Sequence, residues 1–223
     1  MKITYIYHSC YLIELEHTIL LFDYYKGTLP KLDPKKHLYV FASHRHQDHF
    51  ARKIFTIDHP QITYILSDDI PVKKDVERMG AHQDLNVDDM HISTLLSTDE
   101  GVAFIVQVEG KTVYHAGDLN WWDWGEEDSE EESRDMKEAY QKELEILSRY
   151  KVDVAFLPVD ARLKENFYKG LDACMGKVDI SVVFPMHFWD DYTIVEKLFE
   201  HPVCQDYKNR IQKVSYKNQT FLL

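Results

Sequence analysis

The residues best suited to chemistry lie in one stretch, Ser43-His44-Arg45-His46-Gln47-Asp48-His49-Phe50. It places three histidines and one carboxylate within six residues. Imidazole nitrogen and carboxylate oxygen are both good ligands for zinc and related divalent ions, and such an ion compensates a cluster that is otherwise costly to pack together. His44 and His46, two apart, can turn to one ion, and Asp48 and His49 project to the other side and can hold a second. A solvated polar loop is the plainer reading of these residues, and the metal-ligand logic outweighs it. The apolar run from Leu38 to Ala42 reads as a short buried strand, so the cluster stands where a strand ends and a loop begins.

Composition narrows the partners. The chain has 223 residues, enough for one domain with a sizeable core, and residues 1–223 are read as a single domain. A hydrophobic share of 44% and a charged share of 29% are those of a globular protein. The formal net charge of -12 argues against nucleic acid or an anionic membrane surface as the main partner. A small anionic substrate stays open, because bound metal sets the local charge. Cys10, Cys174 and Cys204 are odd in number and widely spaced, which points to a reducing compartment and no disulfide framework. The start, Met1-Lys2-Ile3-Thr4-Tyr5, lacks the pattern of a signal peptide, and no window reaches the apolar length of a membrane span. A cytoplasmic location is the default expectation, and a homo-oligomer is compatible with everything above.

The elements that must position the cluster follow from periodicity. Residues 2–23 read as three short antiparallel strands closed by Asp23, and Ile62 to Leu66 as a further strand. Val72 to Met79 reads as a helix stopped by Gly80. Val102 to Val108 and Thr112 to Tyr114 read as a hairpin turned at Gly110. Met136, Tyr140, Leu144 and Leu147 recur in steps of three and four, which predicts a helix over 133–150 with Ser133 as N-cap. Strands are expected at Val154 to Leu157, Ile180 to Phe184, Gln212 to Tyr216 and Thr220 to Leu222. Short helices are expected around 52–57, 171–175 and 194–199.

The pattern His-x-His-x-Asp-His resembles the signature of the metallo-β-lactamase-fold hydrolase superfamily. Tyr7-His8-Ser9-Cys10 and Tyr114-His115-Ala116-Gly117-Asp118 make the chain look like the compact branch that includes the ascorbate-6-phosphate lactonases and their uncharacterised relatives. The resemblance implies an α+β fold, a four-layer αββα sandwich of two mixed sheets with helices outside. It implies that Asp118 bridges two metals, that His187, just past the apolar run 180–184, is a further ligand, and that Asp23 supports the metal loop from behind. His115 is open between a ligand and a buried supporting residue, and His8 between an active-site group and a polar residue between strands. The resemblance also calls for a histidine ahead of the hairpin, where Leu95 to Gly101 has none and His91 lies upstream. Ser97 stands at the equivalent position, and Asp99 is the substitute oxygen ligand. The first site then keeps His44, His46 and Asp118. The second keeps Asp48, His49, Asp118 and His187 and is expected to be the tighter. One or two divalent ions are expected, zinc first, with manganese or iron as alternatives.

Three other features bear on substrate. Arg162 or Lys164 can bind an anionic group, or Asp160 and Arg162 can form a structural pair. Trp121, Trp122 and Trp124 read equally as a lid over a pocket or as an anchor to the core. The acidic run from Glu126 to Glu132 reads as a solvated segment leading into a helix. The expected function is metal-dependent hydrolysis of a small ester, lactone or phosphodiester by water that a metal activates, with Asp48 holding metal and orienting the nucleophile. The alternative is a non-catalytic metal- or ligand-binding protein with an incomplete first site.

Overall fold

A computed structural model describes all residues, 1–223. Thirteen strands form two sheets. They are β1 (Lys2–Tyr7), β2 (Cys10–Glu14), β3 (Thr18–Phe22), β4 (His37–Ala42), β5 (Ile62–Ser67), β6 (Glu77–Met79), β7 (Asp84–Val87), β8 (Met90–Leu96), β9 (Val102–Val108), β10 (Lys111–His115), β11 (Lys151–Pro158), β12 (Asp179–Met186) and β13 (Thr220–Leu222). Three α-helices, α1 (Glu130–Leu147), α2 (Lys169–Lys177) and α3 (Thr193–Glu200), all fall after β10. The first sheet runs β13-β1-β2-β3-β4-β5-β6 and the second β12-β11-β10-β9-β8-β7. Each is antiparallel in one part and parallel in the other, so both are mixed.

Alternation along the strands explains the layering. In β3, Leu20 and Phe22 join the large core between the sheets, whereas Ile19 and Leu21 join a second apolar cluster on the outer face. Both faces are covered, so the strands read as unbroken apolar runs. α1 and α2 pack on the second sheet. The outer face of the first sheet is covered by a 3-10 turn, Arg52–Thr56, and by loops carrying Leu29, Leu32, Ile70 and Val72. No helix is long and apolar enough to cross a membrane.

Three local expectations are corrected. Residues 72–79 form no helix: Val72 and Val76 pack a loop onto the outer cluster, and Glu77–Met79 is the edge strand β6, parallel to β5. The Arg78 guanidinium donates to the carbonyls of Ile70 and Val72, which satisfies the loop backbone without a helix. The long helix begins at Glu130, not after Ser133. Ser129 Oγ accepts from the Glu132 amide, and Glu132 accepts back from the Ser129 amide, a complete capping box. Glu130, Glu131 and Glu132 are therefore the first helical turn, where negative charge meets the positive end of the dipole. Residues 212–216 form no strand. One bridge, Ile211 to Val183, marks that segment, and Tyr216 is exposed. The hairpin β7–β8 adds to the expected strands; Asp84-Leu85-Asn86-Val87 carries no strand signal because it is half polar and lies at a sheet edge.

Candidate metal centre

Strand ends from both sheets converge along one edge. The first sheet brings the β1–β2 turn (His8, Ser9), the end of β3 (Asp23) and the loop after β4 (Ser43 to His49). The second brings the β8–β9 turn (Ser97 to Gly101) and the segments after β10 (Asp118), β11 (Asp160) and β12 (His187). In-register parallel pairing, His115 with Phe156 and Phe156 with Phe184, aligns the last three. Two glycines allow the loops to meet. A Cβ on Gly101 (φ +69°) would lie 2.1 Å from the Ser43 carbonyl oxygen, and one on Gly117 (φ +53°) would lie 2.6 Å from Ser43 Cβ. His8, Asp23 and His187 also have positive φ, a strained backbone concentrated at this edge.

Two groups of ligand atoms result, each within 4.8 Å: His44, His46 and Asp118, and His8, Asp48, His49 and His187. Asp118 lies between them. Its Oδ1 is 3.1 Å from His49 Nε2 and 3.3 Å from His187 Nε2, and its Oδ2 is 3.5 Å from His44 Nε2. Nε2 of His8, His44, His49 and His187, with Asp118 Oδ1, are buried without a hydrogen-bond partner. Orphaned polar atoms converging in this way are costly unless a ligand satisfies them.

The atoms behind the rings fix which nitrogen is free. His49 donates Nδ1–H to Asp23 Oδ2 (2.7 Å), and His187 donates Nδ1–H to Asp160 Oδ2 (2.9 Å). Ser43 Oγ donates to Asp23 Oδ2 (2.8 Å) and so accepts from His44 Nδ1–H (3.0 Å). In all three rings the Nε2 lone pair is left for a metal, the arrangement that carboxylate-backed histidine ligands use. The donor set therefore fits divalent metal. His115 differs: Nδ1 accepts from the Gly117 amide (3.2 Å) and Nε2–H donates to the Ser9 carbonyl (2.8 Å). Both nitrogens are used, and the ring stacks on Phe22, so His115 is a buried supporting residue.

The electrostatics follow. Burial opposes charge on His49, but Asp118 and Asp23 outweigh it and raise its pKa well above 6.5. Burial likewise opposes charge on His187, and Asp118 and Asp160 lift it to about 8. Burial and the neighbouring His49 push His44 down to about 4. Burial also lowers His8 to about 4, against the pull of Asp48. Asp118 stays ionised against burial because His49 and His187 face it. In the metal-free protein His187 holds its proton up to about pH 8, and a metal on Nε2 must displace it. Because both His49 and His187 must lose a proton to a metal, apparent zinc affinity should rise with pH between 6 and 8, by up to about tenfold per pH unit per displaced proton. Competition titrations at several pH values check this; a flat profile from 6 to 8 would contradict it.

The remaining residues take varied places. His46 is partly exposed, 3.8 Å from Asp99 Oδ2 and 3.6 Å from Glu100 Oε2. Ser97 is buried, and its Oγ accepts from the Asp99 amide, tying the turn that carries Asp99. His91 sits at the far end of β8, bonded to Asn86. Asp48 Oδ2 is 3.5 Å from His8 Nε2. Asp160 is fully buried, binds Arg162 through Nε and Nη2, and is held near pKa 2 because those bonds and His187 outweigh its burial. Lys164 pairs with Glu127 instead. A cavity of about 210 Å³ opens on Asp118, lined also by Thr98, Asp99, Trp122, Trp124, Met136 and Arg162. Trp122 both walls it and anchors the loop, since its Nε1 donates to the Asp118 carbonyl (2.9 Å). Trp121 lies outside this cavity, against Lys137 and Lys169. Sequence reasoning missed Ser43 as a relay and Glu100 beside His46. No spacing rule signals either, because each acts through a fold contact.

A two-sheet sandwich with paired His/Asp clusters at one edge defines a class of metal-binding proteins, and comparison with known proteins places the chain within it. Residues 2–131 match the model of the beta-lactamase superfamily domain, and the chain belongs to that family, with the metallo-β-lactamase fold. A UPF0173 metal-dependent hydrolase of Nanoarchaeum equitans is 26% identical over 210 residues, covering 84% of each chain. Igni18, a metallo hydrolase from Ignicoccus hospitalis, superposes with a TM-score of 0.65 at 18% identity, over 100% of this chain and 98% of its own. CmlA, a diiron β-hydroxylase from Streptomyces venezuelae, superposes with a TM-score of 0.67 at 15% identity, over 100% of this chain and 54% of its own.

Proposed function

We propose that the protein is a metal-dependent hydrolase acting on a small ester, lactone or phosphodiester. The observation that carries this reading is that Nε2 of His44, His49 and His187 and Oδ1 of Asp118, buried and unpartnered, converge beside a cavity sized for a small molecule. Bound divalent metal would supply Lewis acidity and activate water near neutral pH. His44, His46 and Asp118 would hold one ion, and Asp48, His49, Asp118 and His187 a second. Asp99, next to His46, is the oxygen donor we assign to the first site, which makes manganese or iron a fair competitor of zinc there. The diiron neighbour on the same fold keeps iron among the metals to test. Asp23, Ser43 and Asp160 hold the rings in the ligating tautomer. Asp48 would help hold the ion and orient the water it activates. Arg162 keeps part of its guanidinium open toward the cavity and suits an anionic group, with Trp122 and Trp124 covering the apolar part.

The test is hydrolysis of bis-p-nitrophenyl phosphate, simple lactones and thioesters by protein loaded with zinc, manganese or iron. Turnover of at least one class is expected, and it should be lost in Asp118→Ala. Equal turnover in that variant would reject the site, and no turnover on any class by fully loaded protein would favour the non-catalytic binding protein.

A further inference from the structure

We infer that His8, although it stands within the group formed with Asp48, His49 and His187, is not a metal ligand but an N–H donor that positions Asp48. The inference rests on the metal site proposed above and changes its membership.

The argument is which nitrogen carries the proton. His44, His49 and His187 each turn Nδ1 to an acceptor, so Nε2 keeps its lone pair. His8 turns Nδ1 to a donor, the backbone amide of Trp189, at 3.1 Å. A ring nitrogen that accepts a hydrogen bond carries no proton, so in His8 the proton sits on Nε2. That nitrogen turns its N–H toward Asp48 Oδ2 at 3.5 Å, within ion-pair reach and longer than a hydrogen bond, and it has no lone pair for a metal.

The direction of the Trp189 amide is set by a chain of contacts between two turns. Tyr5 Oη accepts from the His8 amide (2.9 Å) and donates to the Trp189 carbonyl (2.9 Å). The His187 amide donates to the His8 carbonyl (3.3 Å). His8, His187 and Trp189 hold φ of 57°, 67° and 49°, a backbone that non-glycine residues adopt only when their surroundings demand it. The His8 ring stacks on the Trp189 indole at 4.4 Å and 27°. Flipping the ring would place a carbon against the Trp189 amide and leave that part-buried donor without its partner. Asp48, by contrast, is partly exposed, and His8 is the side chain in ion-pair reach of it. A fixed donor at this point orients the carboxylate, as groups behind metal ligands commonly do.

The test uses the full chain, metal-free and zinc-loaded, with 15N-labelled histidine. His8 is expected to appear protonated at Nε2 and unprotonated at Nδ1 in both states, while the Nε2 resonances of His49 and His187 move when zinc is added. His8→Phe should keep the wild-type number of zinc ions per chain and bind them about 10-fold more weakly. His8→Gln, which restores an N–H donor, should recover most of that loss, whereas His187→Ala should lose an equivalent. A zinc-induced move of the His8 Nε2 resonance into the ligated range makes His8 a ligand and overturns the inference, even if His8→Phe does not fold. Loss of an equivalent from a folded His8→Phe does the same. Full zinc retention in His187→Ala would instead overturn the site assignment beneath it.

Discussion

Asp118→Ala is expected to leave the purified protein with little bound metal and to abolish hydrolysis. Asp118 is the one carboxylate in reach of both ligand groups, through Oδ1 to His49 and His187 and through Oδ2 to His44. Its removal takes an oxygen donor from each group at once. It also takes away the buried negative charge that two raised histidines face. If bound ions supply several kcal/mol of transition-state stabilisation, the rate should fall by on the order of 10³-fold or more. Metal content per chain by mass spectrometry and turnover of bis-p-nitrophenyl phosphate check both halves. A variant that keeps full metal and full rate would show that Asp118 is not at the centre.

The second large effect is on stability as well as metal. Asp23 is fully buried and accepts from the Ser43 amide, Ser43 Oγ and His49 Nδ1, at 2.8, 2.8 and 2.7 Å. Burial opposes its charge, but His49 and His115 outweigh that and hold its pKa below the ordinary value. Asp23→Ala strands the buried Ser43 amide and frees His49 and Ser43 to rotate. A stranded donor costs about 1–3 kcal/mol, and with the lost bonds to charge the sum is about 3 kcal/mol. For a chain of this size that lowers Tm by about 10 °C. Zinc affinity should fall by about 10- to 100-fold, because the ligand tautomer is no longer held. Calorimetry of the metal-free variant separates the first effect from the second. An unchanged Tm would mean that Asp23 does not hold the loop.

Much of this site is written locally. His44, His46, Asp48 and His49 lie within one loop, so their spacing alone places them near a common point. Asp118 and His187 follow apolar runs, and strand ends are where loops collect chemistry, so position and resemblance together pick them out. The apolar strands β3, β4 and β11 are legible because both of their faces are buried over most of their length. The segment 72–79 misleads because its apolar spacing serves a loop packed on a sheet face, where tertiary contacts override helix propensity.

What sequence determined on its own is therefore the candidate ligand types and the strand ends that carry them, and, through the resemblance those motifs carry, the α+β sandwich. Only the tertiary structure decides the role of each ring, because that role depends on which partner meets Nδ1. His49 and His187 meet carboxylates that lie 26 and 27 positions away, and His8 meets an amide 181 positions away. Four chemically identical imidazoles, His8, His44, His49 and His187, thus differ in whether Nε2 or Nδ1 is left without a proton by the partner behind the ring. The proton follows the hydrogen bond behind the ring, and that bond exists only once the two sheets have met.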